Sequence, residues 1–579
     1  MMDGPKQKVQ PVKNRLLVFV ALLVMVIGAI TVVLVRHHSG NVSMIIKNAD
    51  IYTVNPSLPK AEAMAIEDGR IVGIGTSADI LRRFVADTVI DLGGRPIYPG
   101  FIDSHAHLEG LGQSLSELNL SECRHPEEIA SKVGLRAAAT KRDLWIRGRG
   151  WDQNLWTSHR FPEHALLDRA ASQNPVVLVR IDGHAMWVNR LALVAAGIEK
   201  TTPDPVGGKI VRDANGEPTG ILIDKAMNLI NAVVPPTPIE ERRETVRRAM
   251  KECVAFGLTE VHDMGVDSEM VAIYRGMLSQ HALPIRVYAA IDGTGSFWQS
   301  CLHSGPDKGD RNARLVVRAL KIYMDGALGS RGAALLEPYS DDPGNRGLTL
   351  LTSDSLVQIA KQCLDNGFQL CVHAIGDRAN ATVLASYEKA FQERKGGPDA
   401  RFRIEHAQII DPPDFRKFHT IGVLPMMQPT HCTSDMPWAG DRLGKKRLEG
   451  AYAWRTLIDE GNIVPAGSDF PVESPNPLLG FYAAITRQTT TGYPPEGWAP
   501  DQRMTRDEAL KAFTIWGAYA AFQEDLKGSL EVGKLADLVV LSDDIMVVDP
   551  SHIPSVTVEA TMIGGEFVLN HLGSQGGHE

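Results

Sequence analysis

Cysteine is sparse: six residues, at 123, 253, 301, 363, 371 and 432, none in a C-x-x-C pair. Neither a zinc knuckle nor a disulfide scaffold is signalled, and the pairing of the thiols stays open. Long runs of one charge sign are also missing. With a net charge of −9 and no basic stretch, the chain gives no reason to expect a nucleic-acid partner. No internal repeat or low-complexity tract occurs. What remains, 44% hydrophobic and 22% charged residues, is ordinary globular composition. At 579 residues the chain is too long for one simple core, so two or three domains are expected.

One long apolar run breaks this pattern. Residues 16–35 (LLVFVALLVMVIGAITVVLV) carry no charge, and at about 1.5 Å per residue they span roughly the 30 Å hydrocarbon core of a bilayer. Lys6, Lys8, Lys13 and Arg15 precede the run, and only Arg36 follows closely. The charge bias predicts a cytoplasmic tail over 1–15, a transmembrane anchor over 16–36 and a single-pass protein whose catalytic part is extracytoplasmic, in the periplasm or outside the cell. A cleaved signal, giving a secreted protein, is the alternative. The run is longer than a signal's apolar region, and VLVRHH offers no small-x-small site.

Beyond the run, short strand patterns cluster at both ends of the chain. SMIIKNADIYTV and EAMAIEDGRIVGIG, with a turn at Asp68-Gly69, lie at one end; LADLVVLS and VTVEATMIGGEFVL lie at the other. Neither end has strands enough to bury a face alone. A small composite β-sandwich from 43–96 and 528–572 solves that. The middle, 97–527, alternates strand and helix patterns. Eight strands are predicted, at 95–103, 258–264, 285–291, 316–324, 368–374, 401–407, 422–428 and 462–469, the number a TIM barrel requires. The predicted class is therefore α/β, a distorted (β/α)8 barrel. The gap after the first strand is too long for one crossover helix. About 110–255, with GRGWDQNLW and the strand-like VVLVRIDGH, is read as an inserted subdomain over the barrel mouth.

Chemistry-bearing residues sit at the ends of these strands. His105 and His107 in PGFIDSHAH share one side of a strand, so both can grip one ion. His373 ends VHA, His406 ends RIEH, Asp469 ends AGSD, and Lys321 lies within ALKIYMDGALGSRGA. Singly each has a structural explanation, such as a hydrogen-bonded core histidine, a snorkelling lysine or a turn-capping aspartate. Together, five strand ends deliver nitrogen or oxygen donors to the C-terminal face, where barrel active sites lie.

The motifs PGFIDSHAH, LKIYMDGALGSRGA, HAIGDRA, RIEHA, GSDFP and GSLEVGKLADLVVL, in that order, resemble the amidohydrolase superfamily. More narrowly they resemble its family 3 (YtcJ-like) branch, which includes N-substituted formamide deformylases. The resemblance runs from about 43 to 570. It implies a binuclear site for divalent metals, with a single-metal site as the alternative; zinc is best suited to imidazole and carboxylate donors, and manganese, iron, cobalt and nickel are the alternatives. His105, His107 and Asp469 hold one ion and His373 and His406 the other. Lys321, neutral through burial, bridges them as an N6-carboxylated carbamate. Two ions about 3.5–4 Å apart acidify a bridging water, and Asp469 moves the proton to the leaving amine. The resemblance places His184 in DGHAMWVNR and His431 in QPTHC at pocket walls. Trp151, with Trp156 and Trp187, is a candidate apolar subsite, with plain core packing as the alternative. Asp325 and Arg331 are candidate partners orienting the ligands, with a structural salt bridge as the alternative. His262 is left as core.

The expected activity is metal-dependent hydrolysis of a C–N bond other than a peptide bond, in an N-acyl or N-formyl amine carrying an apolar group. Two alternatives stand beside it: an ester, lactone or cyclic-amide hydrolase on the same site, and a membrane-tethered protein that binds a small molecule without turnover. The expected partners are a small-molecule substrate and, through the anchor, a membrane. The sequence leaves a homo-oligomer open.

Overall fold

Strands from both chain ends pair into one unit. In this computed structural model, which describes Met1, residues 40–394 and residues 397–572, a four-stranded sheet holds Asn41–Lys47, Ala63–Glu67, Arg70–Gly75 and Val85–Asp91. A six-stranded sheet joins Asp50–Tyr52, Lys60–Ala61 and Pro96–Pro99 to Leu538–Leu541, Val558–Ile563 and Glu566–Asn570. The seam is the antiparallel pairing of Pro96–Pro99 with Leu538–Leu541. Ile46, Ile51, Met64, Leu538, Val540 and Met562 share one apolar core, so each chain end covers apolar surface that the other exposes. The hairpin turn at Asp68-Gly69 has φ of 47° and 74°, the doubly positive geometry of a tight two-residue connection.

The barrel is a parallel sheet of seven strands in chain order. They are β1 (Phe101–Ala106), β2 (Leu258–Val266), β3 (Arg286–Asp292), β4 (Leu315–Tyr323), β5 (Gln369–Ala374), β6 (Arg403–His406) and β7 (Leu424–Met426). Amphipathic helices such as Ser268–Ser279, Ser353–Asn366 and Asp377–Glu393 follow their strands and cover the outside. The eighth predicted strand is not a regular one. Residues 463–469 fill its place with a single parallel bridge, Met427 to Ala466. Hydrogen bonds from Met427 N to Pro465 O (3.1 Å), Gly467 N to Met427 O (3.0 Å) and Ser104 N to Ala466 O (3.0 Å) nearly close the barrel there. Pro465 has no N–H to give to a ladder. A Cβ on Gly467 would lie 2.5 Å from His105 N, so only glycine permits so close an approach. The first predicted strand divides as well: Pro96–Pro99 pairs in the terminal sheets and only Phe101–Ala106 enters the barrel.

Between β1 and β2 a third sheet of six strands runs from Leu118–Asn119 to Pro218–Asp224, with Val176–Arg180 near its middle. All six cysteines are free.

The single-pass membrane placement is corrected. Among the described residues no helix is long and apolar enough to cross a membrane. The 16–36 segment on which the anchor was read lies outside the described residues, so the anchor and the extracytoplasmic location built on it are withdrawn.

Candidate functional site

Strand alternation and the closing loop bring the predicted donors together at the C-terminal end of the barrel. His105 is fully buried in β1, His107 follows it, and Asp469 reaches both: its Oδ1 lies 3.5 Å from His105 Nε2 and 3.2 Å from His107 Nε2. Asp469 Oδ2 lies 3.7 Å from His431 Nε2. The His406 ring centroid is 4.7 Å from that of His105 and 4.5 Å from that of His373. Lys321 Nζ, buried in β4, is 3.4 Å from His105 Nε2. His406 and Asp469 hold φ of 75° and 59°, left-handed values that a non-glycine residue adopts at a cost of about 1–3 kcal/mol each and that cluster where geometry serves function.

Two of these imidazoles are oriented through their other nitrogen. His105 Nδ1 meets Glu405 Oε2 at 2.5 Å and His406 Nδ1 meets Gln428 Oε1 at 2.8 Å. Both acceptors fix the tautomer with the proton on Nδ1, which leaves the Nε2 lone pair free. Nε2 of His373 and of His431 is buried without a hydrogen-bond partner. Burial pulls the His105 imidazole down to about 4, with Lys321 adding to the shift. Burial likewise holds His373 and His406 well below their ordinary range. Neutral rings with converging free lone pairs fit a divalent ion and would otherwise be a costly set of orphaned acceptors. Two sets, His105–His107–Asp469 and His406–His431–Asp469, have donor atoms within 4.8 Å of one another.

The acids and the lysine are tuned in opposite directions. Burial opposes charge on Asp469, yet His107, His105 and His406 hold its carboxyl well below the usual range. Burial lowers Lys321 from its ordinary value, against the pull of Glu405 and Asp469. Asp103 accepts from Ser468 Oγ at 2.6 Å and from His105 N at 3.1 Å, tying β1 to the closing loop; burial pushes its carboxyl up to about 7.

Below His105 a polar column fills the barrel. Glu405 is bound by Arg403 through Nε (2.7 Å) and a terminal nitrogen (3.1 Å). Arg403 meets His262 Nδ1 at 3.1 Å, His262 Nε2 meets Glu260 at 3.1 Å, and Lys527 donates to Glu260. Burial opposes the Glu405 charge, but Arg403 and then His105 drive its carboxyl below the usual range. Glu405, Arg403 and Gln428 are functional neighbours that the sequence reading missed. The signal was present in RIEHA, where Arg403 and Glu405 share the inward parity of β6. His262 is core, as expected, but polar core.

Not every candidate converges. His184 does: Asp224 Oδ1 holds its Nδ1 at 2.7 Å, and its ring lies 5.1 Å from that of His373. Asp325 does too, 3.6 Å from His373 Nε2 and accepting three backbone N–H groups, from Ala334, Ile375 and Gly376. Arg331 does not. It pairs with Asp341 at 2.9 Å, the structural salt bridge that was its alternative. Trp151 is also away from the site. Fully buried, it packs with Trp156, Trp187 and Phe161 in the core of the inserted sheet and donates Nε1 to Leu178 O at 2.8 Å. Its neighbours Arg149 and Gly150 line the cavity instead, together with His184, His373, His431 and Asp469. The cavity holds about 700 Å³, room for a small-molecule substrate.

A family model described as amidohydrolase family matches residues 88–569. The chain is 35% identical to YtcJ of Bacillus subtilis over 529 residues, 90% of this chain and 98% of the relative. It is 27% identical to the N-substituted formamide deformylase of Arthrobacter pascens over 92% of this chain and 99% of the relative. Among solved structures, an uncharacterized metal-dependent hydrolase from Pyrococcus horikoshii aligns with a TM-score of 0.70 at 26% identity, covering 88% of this chain and 99% of that one.

Proposed function

Because the chain belongs to the amidohydrolase family, we propose that it hydrolyses the C–N bond of an N-acyl or N-formyl amine, using divalent metal held at the barrel mouth. The observation that supports this best is the gathering of imidazole Nε2 atoms at Asp469 and Lys321, those of His105, His107 and His431 at Asp469 and that of His105 at Lys321. In this reading His105, His107 and Asp469 would hold one ion and His373 and His406 a second, and Lys321 would supply further oxygen ligands as the carbamate that its neutral amine forms with carbon dioxide on losing a proton. Zinc suits these donors. Bound divalent metal supplies Lewis acidity, which acidifies water and polarises a carbonyl.

The protein's own groups do the rest. His184, held by Asp224, and His431 line the cavity where the substrate carbonyl oxygen sits. Asp469 takes the proton of the attacking water on Oδ2, the oxygen that faces His431, and delivers it to the departing nitrogen. The water oxygen bonds to the carbonyl carbon, the C–N bond breaks, and the amine leaves neutral. An amine leaves poorly unless protonated, so Asp469 matters more for amides than for esters.

The test is Asp469→Asn in metal-loaded protein, assayed on N-formyl amines, N-acyl amines and matched esters. The variant is expected to keep bound metal, by elemental analysis, and to lose most amide turnover. An Asn variant with near wild-type rates contradicts the assignment. Faster ester than amide turnover in the wild type favours the ester alternative. Metal-replete protein that binds but turns over neither class favours a binding role. Labelled bicarbonate giving a carbamate carbon resonance that Lys321→Met abolishes supports the bridging lysine.

A further inference from the structure

The cavity lining carries two arginines from the inserted sheet, and their situations differ. Arg180 is committed. It donates through Nε to Gln153 at 2.8 Å, to Asp182 at 2.5 Å, and to Asp152 through its remaining nitrogen. All of its nitrogens are therefore used, and its single positive charge is committed to two carboxylates. Arg149 is not. It donates once, to Ile181 O at 3.0 Å, its Nε is buried with no partner, and no carboxylate among the described residues pairs with it. Asp469, Asp182 and Glu117 act on it only at longer range, Asp469 most strongly. The other unpaired guanidinium lining the cavity, Arg124, sits exposed at the rim.

Local backbone geometry accounts for where Arg149 points. The strand Ile146–Trp151 pairs in regular register with Val176–Arg180 through Arg149, then shifts by one residue before Trp151. Gly150 takes φ of 106° at that point. A bulge of this kind re-aims the side chains on either side of it. Trp151 therefore turns into the core of the inserted sheet while Arg149 faces the cavity, its guanidinium against the 181–184 loop that carries His184. Burying most of a guanidinium with unused donors is costly unless an anion completes it.

We infer that Arg149 is the subsite for an anionic substituent of the substrate, a carboxylate on the amine side of the scissile bond, so that the preferred substrates are N-acyl or N-formyl amino acids rather than neutral amides. This rests on the reading of the site as a C–N hydrolase for the identity of the scissile bond, but not for the anion subsite itself. Asp435 and Glu473 line a different part of the wall, near His431. On the Arg149 side the carboxylate is Asp182, which shares Arg180 with Asp152 and acts on Arg149 only at longer range.

The test compares two probes that differ only by a carboxylate, N-formyl-phenylalanine and N-(2-phenylethyl)formamide, on metal-loaded full-length protein. Two quantities are read, Kd by calorimetry and kcat/KM. Wild type is expected to favour the carboxylate probe by about 10- to 100-fold, the range of a charge-assisted hydrogen bond in a partly buried site. Arg149→Met is expected to bring the ratio of the two probes close to one, and Arg149→Lys to keep part of it. Equal binding of both probes by wild type, or a preference that survives Arg149→Met in folded protein, overturns the proposal. If binding shows the Arg149-dependent preference while neither probe is hydrolysed, the anion subsite stands and the hydrolase reading fails.

Discussion

Glutamate 405 is a demanding place to test how this site is held. Its carboxylate is fully buried and does two things at once: it neutralises Arg403 and accepts the Nδ1 proton of His105. Glu405→Gln keeps the shape and one acceptor oxygen but removes the charge. The Arg403 guanidinium then stays buried, with Ser104 O and His262 Nδ1 as its remaining partners. Leaving one member of a buried pair uncompensated costs about 3–5 kcal/mol. The mirror variant, Arg403→Met, strands the carboxylate instead and should cost a similar amount. The double variant Arg403→Met/Glu405→Gln buries no orphaned charge, so it should cost less than the sum of the singles by at least about 2 kcal/mol.

The assay is denaturant unfolding of metal-free protein for the four members of the cycle. Metal affinity by chelator competition is the second readout. Glu405→Gln loosens the His105 ring, and losing such an orienting partner lowers metal affinity by about 10- to 100-fold. Additive stability costs in the cycle, or unchanged metal affinity in Glu405→Gln, would refute the reasoning.

Two further outcomes follow from charge and burial. The His105 imidazole sits at about 4 in the folded protein against an ordinary value of 6.5. Between these values the unfolded chain binds the extra proton, so the stability due to a neutral His105 is present above pH 6.5 and lost on acidification towards pH 4. Relative to His105→Gln, metal-free wild type should lose about 3 kcal/mol across that window; parallel pH profiles would reject a neutral buried ring. Arg286 at the base of β3 binds Asp537 at 2.6 and 2.8 Å, both fully buried. This ties the barrel to the terminal sheets, so Asp537→Asn should lower the unfolding midpoint by an amount equivalent to about 3–5 kcal/mol without changing kcat. A fall in kcat at full metal occupancy would mean that the pair supports the site and not only the fold.

What the sequence revealed and what it hid divide along physical lines. Period-two patterning and strand-end histidines were legible because each is local: His105 and His107 announce a shared face within three residues. The regular barrel strands were legible for the same reason, and the two-ended pairing because neither end has strands enough to bury a face alone. Closure of the eighth position was misread because Pro465 and Gly467 make it a bridge and a close approach, whereas the apolar content of the segment suggested a strand. Trp151 was a candidate subsite with core packing as its alternative, and core packing is what the structure shows. A one-residue bulge exchanged its place with that of Arg149, and register shifts leave little trace in composition. Glu405 went unassigned because its partners, Arg403 and His105, lie on two different strands, the latter 300 positions away. Arg331 failed for a related reason: proximity to Lys321 in the chain is not proximity in space, and its partner is Asp341.

The polar column beneath His105 bears on why a barrel should carry so much charge inside. Layers of branched aliphatic side chains normally fill such an interior, and replacing buried ion pairs with apolar groups is often neutral or stabilising. Lys527, Glu260, His262, Arg403 and Glu405 are all buried, so they are a poor way to gain stability. They do give each member a partner on both sides and so leave His105 a single orientation. Lys527 and Arg403 balance Glu260 and Glu405, so the column can end on a neutral imidazole beside Lys321 without delivering net charge to the site. An apolar core would pack as tightly but would leave the His105 Nδ1–H without an acceptor and its ring free to flip. The barrel interior thus gives up packing energy to fix one nitrogen lone pair, and that exchange makes sense only if something binds it.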